Sequence, residues 1–142
     1  MEHKKLEDGT ILIQMLRGEE IVSVLTRFLN EQKIYAGTIQ GIGAVNWAEV
    51  AVFDAKNKRY IHHTLTGPLE VLALNGNVSR MEDGQSFPHI HAVLGDHHMN
   101  ARGGHLMGAV ADPTCEMVLR PLPGTVERRL IPELGLKLWQ LA

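Results

Sequence analysis

Apolar residues recur along this chain with two periods, and the switch between them marks its elements. Residues 10–16 (TILIQML) form a β-rich apolar run closed by Arg17 and Gly18, which predicts a strand. From Ile21 to about Gln32 the apolar positions are Ile21, Val24, Leu25, Phe28 and Leu29, a stripe of period near 3.6 that predicts a helix facing a sheet. Glu19 and Glu20 suit its first turn, where carboxylates meet the positive end of the helix dipole. Strand patterns then return at 48–54, 59–65 and 69–74, with Lys56, Asn57 and Lys58 as a hairpin turn between the first two. Residues 69–74 are nearly all apolar apart from Glu70, which fits a strand covered on both faces, in a subunit contact or under the helix, and leaves that carboxylate in need of a partner. A salt bridge, a backbone anchor or a role beside a metal would each supply one. Further strands are predicted at 114–120 and 125–130, separated by Pro121, Pro123 and Gly124. The terminal run 134–142 (LGLKLWQLA) is apolar enough to dock on the domain or on a neighbour.

The richest stretch is 87–108, FPHIHAVLGDHHMNARGGHLMG. His89 and His91 are two apart, so on a strand both imidazoles point to one face. Residues 103–108 read as a returning strand, and a reversal between Asp96 and Asn100 pairs residues whose numbers sum to between 194 and 198. With an even sum, His105 joins the face of His89 and His91. Neutral imidazole is the commonest protein ligand for zinc, and three histidines with an open position form several zinc sites. The alternative is a hairpin whose histidines are only polar-face residues, and an odd register would enforce it. His62 and His63 are adjacent, so they face opposite sides of their strand and make no such pair. The loop 80–86 (RMEDGQS) stands before the hairpin, where it could gate access.

PHIH followed by GGHL, preceded by GPLEVLALNGN at 67–77 and followed by TCEMVL at 114–119, resembles the domain conserved between plants and prokaryotes, the PPC domain. The resemblance runs over nearly the whole chain and includes Gly41, Gly43, Glu70, Leu72, Leu74, Gly76 and Glu116. It implies a single α/β domain of the α+β type spanning 1–142, with a large, mainly antiparallel sheet packed by one main helix. It also implies a homotrimer and, for prokaryotic members that keep both histidine motifs, a bound metal usually taken as zinc; His89, His91 and His105 match those positions. Two features depart from the family pattern. The turn 96–101 (DHHMNA) has no glycine, and Cys115 stands where a small or hydroxyl residue is more common.

Composition narrows the function. One cysteine makes no internal disulfide, which fits a cytoplasmic protein, and no apolar run approaches the roughly 20 residues that span a bilayer. Gly37, Gly41 and Gly43 follow a predicted helix and precede a strand, the wrong order for a dinucleotide fingerprint, so close backbone approach is the better reading. DNA association enters through the resemblance, because prokaryotic members commonly carry a DNA-binding description. The chain itself has a net charge of −2, no Arg-Gly-Arg hook and only short basic groups at Lys4 and Lys5, at Lys56, Lys58 and Arg59, and at Arg128 and Arg129. The leading expectation is a homotrimeric metal-binding protein with an open coordination position for water or a small anionic ligand. A DNA-associated regulator and a metal-dependent enzyme acting on a small substrate are the alternatives.

Overall fold

The computed structural model describes residues 1–141. Among them the elements run β1 (Glu2–Lys5), β2 (Ile11–Met15), α1 (Ile21–Glu31), β3 (Gly37–Asp54), β4 (Arg59–Met81), β5 (Ser86–Gly95), β6 (Ala101–Pro121), β7 (Glu127–Ile131) and β8 (Leu136–Gln140). All strand pairs are antiparallel except β4 with β7, which gives the expected α+β architecture of one helix on a large sheet. β3 pairs with β4 and β6, and β5 pairs with the same two, so these four strands close a circuit. Outside it β1 and β2 extend β6, while β7 and β8 extend β4.

The helix forms where the 3.6-residue stripe placed it. Ile21, Leu25, Phe28 and Leu29 are buried, each contributing on the order of 1.5–3 kcal/mol of apolar burial, and Val24 packs at the margin. Glu20 is its N-cap rather than part of its first turn: the carboxylate accepts from the backbone N–H groups of Val22 and Ser23. The same side chain accepts from the Ala109 N–H at 3.0 Å, tying the helix start to β6. Opposite the helix, β2 alternates buried Ile11, Ile13 and Met15 with exposed Leu12 and Gln14.

Three strands are longer than the sequence pattern indicated. Residues 59–65 and 69–74 belong to one strand, β4, because register shifts absorb what reads as an interruption. Gly41 and Gly43 lie inside β3, where a Cβ on Gly43 would stand 2.5 Å from the Cα of Cys115; close backbone approach is indeed their role. Within a single chain the 69–74 segment is covered on one face only. Leu69, Val71 and Leu74 enter the core, while Leu72 is 54% exposed and Glu70 faces solvent, since the core capped by α1 lies on one side of this strand.

Candidate metal centre

β5 alternates strictly: Ile90, Ala92 and Leu94 enter the core, and His89, His91 and Val93 point to the other face. The hairpin turn fixes what lies opposite. Asp96 accepts from the N–H groups of His98 and Asn100, and Met99 takes a left-handed conformation at φ +64°, the task a glycine more often performs. This turn sets the sum of paired residue numbers at 196, so His91 lies directly across from His105. The even register brings the three imidazoles together, with ring centroids 4.9–5.4 Å apart and one candidate ligand atom from each within 4.8 Å of the others.

The glycines before His105 make that convergence possible. A Cβ on Gly103 would stand 2.2 Å from the Ala92 carbonyl oxygen on β5, and one on Gly104 would stand 2.7 Å from the Ala51 carbonyl oxygen on β3. β6 is squeezed between two backbones just where it presents its imidazole. Burial pushes His89 down to about 4, helped by the nearby Arg128 charge, and pushes His105 down as well. These rings are therefore neutral at pH 7, the form that donates a lone pair to a metal. The buried Nδ1 of His105 has no hydrogen-bond partner among the described residues, and a bound cation would satisfy it. The donor set and this orphaned nitrogen both fit a divalent transition metal.

The imidazoles line a cavity of about 560 Å³ whose far wall is the C-terminal hairpin, through Leu130, Leu136 and Leu138. The apolar tail thus docks on its own domain; Ala142 lies outside the described residues. Arg128, on β7, is 6% exposed and pins this hairpin. Its guanidinium donates to Ser79 Oγ at 3.0 Å and to the Lys137 carbonyl at 2.6 Å, approaches Asn77 Oδ1 at 3.3 Å, and lies between the rings of Phe87 and Trp139. One Nη2 contact, at 3.4 Å, reaches Nδ1 of His89.

Other expectations fall away. Arg128 belongs to no surface basic patch, because its charge is enclosed by neutral acceptors and aromatic faces. Glu70 pairs with Gly95, at the opposite end of β5 from His89, and does not line the cavity. Residues 80–86 do not line it either; they turn β4 into β5 near the end of α1, where Asn30 accepts from the Ser86 N–H. His62 contacts Glu49 at 2.5 Å and stays outside the triad. Arg128, Tyr60, Phe87 and Trp139 went unnoticed in the sequence as site residues, and no periodicity marks them.

A family model described as the Plants and Prokaryotes Conserved (PCC) domain matches residues 4–123. Similar solved structures include a metal-containing protein from Archaeoglobus fulgidus, 36% identical over 98% of this chain and 96% of that one, with a TM-score of 0.86. A "putative DNA binding protein" from Bacteroides thetaiotaomicron is 29% identical over 98% and 96%, with a TM-score of 0.92. A plant- and prokaryote-conserved protein from Pyrococcus horikoshii is 29% identical over 94% and 92%, with a TM-score of 0.85. No curated protein matches the chain.

Proposed function

The chain belongs to the Plants and Prokaryotes Conserved domain family, and from that premise we propose that it is a homotrimeric metal-binding protein whose His89, His91 and His105 hold one zinc ion or another divalent transition metal. The observation that carries this reading is the convergence of three imidazoles on one hairpin face. The description of the Archaeoglobus relative as metal-containing supports it. When bound, such a cation supplies Lewis acidity to a polar ligand drawn into the cavity. The chain's own residues do the rest: the hairpin orients the imidazoles, β7 and β8 wall the cavity beside them, and the open side of the triad receives a small anionic ligand. Exposed Ile42, Leu72 and Leu12 support the homotrimer, because they give the sheet an apolar face that a neighbouring subunit would cover. Elemental analysis of protein purified without a histidine tag tests the metal. About one divalent ion per subunit is expected; native protein without metal that also takes up no added Zn²⁺ at neutral pH would end the proposal.

DNA association is the second reading, favoured by the description of the Bacteroides relative. The charge of this chain weighs against it, since burial of Arg128 leaves exposed Lys56, Lys58 and Arg59, at the turn between β3 and β4, as the largest basic group close in sequence. Binding to duplex DNA is expected only in the non-specific range, roughly 10⁻⁴ to 10⁻⁶ M at physiological salt. Sub-micromolar, sequence-dependent anisotropy that disappears when those three residues become Ala would make it the leading function.

A further inference from the structure

The cavity beside the imidazoles has an unusual charge inventory. Arg128 and Lys137 line it together with the three histidines, and no Asp or Glu does. Among the described residues no Asp or Glu lies within ion-pair distance of Arg128 either, although that residue is only 6% exposed. Buried charges are ordinarily paired, and a dication at the imidazoles would add to the imbalance. The guanidinium also has bonding capacity to spare. It has five N–H donors and four partners, all neutral, two of them held only at 3.3 and 3.4 Å. Around these groups the walls are apolar, formed by Val52, Phe53, Met107, Leu130 and Leu138 with the ring of Tyr60. A volume of about 560 Å³ suits a small organic molecule.

Resting on the metal reading above, we infer that this cavity takes a small organic carboxylate with an apolar body, its carboxylate held between Arg128 and the cation at the imidazoles. The carboxylate supplies the negative charge that the protein does not, and its planar oxygens suit the guanidinium fork. The hydrocarbon or aromatic body fills the space under the C-terminal hairpin. Arg128 lies beyond residues 4–123, which the family model matches, on the C-terminal hairpin.

The full-length protein, loaded with Co²⁺ as a spectroscopic stand-in, is titrated with benzoate, with benzamide as its uncharged counterpart, and with inorganic phosphate. Benzoate is expected to bind and perturb the cobalt absorption bands, and benzamide and phosphate to bind at least about tenfold more weakly. Arg128→Gln should keep its cobalt stoichiometry and lose about tenfold to a hundredfold in benzoate affinity, the usual range for losing hydrogen bonds to a charged group. Benzamide binding as tightly as benzoate, phosphate binding more tightly than benzoate, or undiminished benzoate affinity in Arg128→Gln would each overturn the inference. If that variant does not fold, the benzoate and benzamide contrast in the wild-type protein decides alone. A preparation that takes up no cobalt overturns the metal reading, and calorimetry on that same metal-free protein then judges Arg128 by the same contrast: tighter benzoate binding keeps its role, equal binding removes it.

Discussion

Two concave surfaces of this molecule differ in what they ask of a partner. One is a groove of about 800 Å³ on the open face of the sheet, where Ile42, Leu72 and Leu12 are 61%, 54% and 40% exposed. The other is the imidazole cavity, about 560 Å³, also walled by apolar side chains but with far more directional chemistry. Size alone would rank the groove first. Apolar area favours association in proportion to its extent and with little demand on geometry, so the groove suits a protein surface. Three lone pairs and a guanidinium fork constrain distance and angle, so the cavity suits an ion and a small polar ligand. The larger depression offers adhesion and the smaller one offers recognition.

That contrast can be broken most severely at the imidazoles. His105→Ala or His89→Ala should take metal content from the proposed one ion per subunit to below about a tenth, read by elemental analysis, while light scattering still reports the proposed trimer. Leu72→Asp should do the converse. A carboxylate in the groove is expected to release subunits with a mass near 15.8 kDa that still hold their metal. Loss of both properties in either variant would mean that the two surfaces are one functional unit. Gly104→Ala probes the cavity more gently, since its new methyl meets the Ala51 carbonyl and not a flexible side chain. Destabilisation of about 1–3 kcal/mol is expected in denaturant titrations, with weakened metal uptake.

The smallest effect concerns protons. His89 sits at about 4 in the fold against an ordinary 6.5, so the folded state disfavours its charged form. A group lowered in this way contributes stability above about pH 6.5, and that contribution is lost as pH falls through about 4. Metal-free protein should therefore lose melting temperature across this window, and His89→Phe should flatten the dependence. No change between the two profiles would show that His89 is more solvated than its surroundings imply.

Local patterns were readable where local forces decide. The α1 stripe follows from period and stands as expected, while turn length confines His105 to positions at or near His89 and His91 without choosing among them; the register in the fold puts it opposite His91. What escaped depends on contacts between distant segments. Arg128 read as half of a surface pair because nothing near it in sequence reveals that Phe87 and Trp139 will take its two sides. Glu70 seemed to need a partner because its neighbours are apolar, and only the sheet's one-sided core explains why Leu72 and Glu70 stay outside. The long strands escaped for a related reason: bulges let β3, β4 and β6 continue through glycines that punctuate the sequence.

The hairpin that carries the imidazoles also sets an order of events in folding. Five residues, Asp96 to Asn100, separate its paired ends, whereas joining β2 to β6 brings Ile11 to Leu119. Closing a short loop and zipping a hairpin take microseconds, while pairings between chain ends wait on a much larger loss of chain entropy. The three ligand candidates thus form one of the chain's most local units, able to meet before the sheet around them is complete. Metal present during refolding is expected to accelerate the phase in which this hairpin forms, which would make the proposed ion a template for the fold.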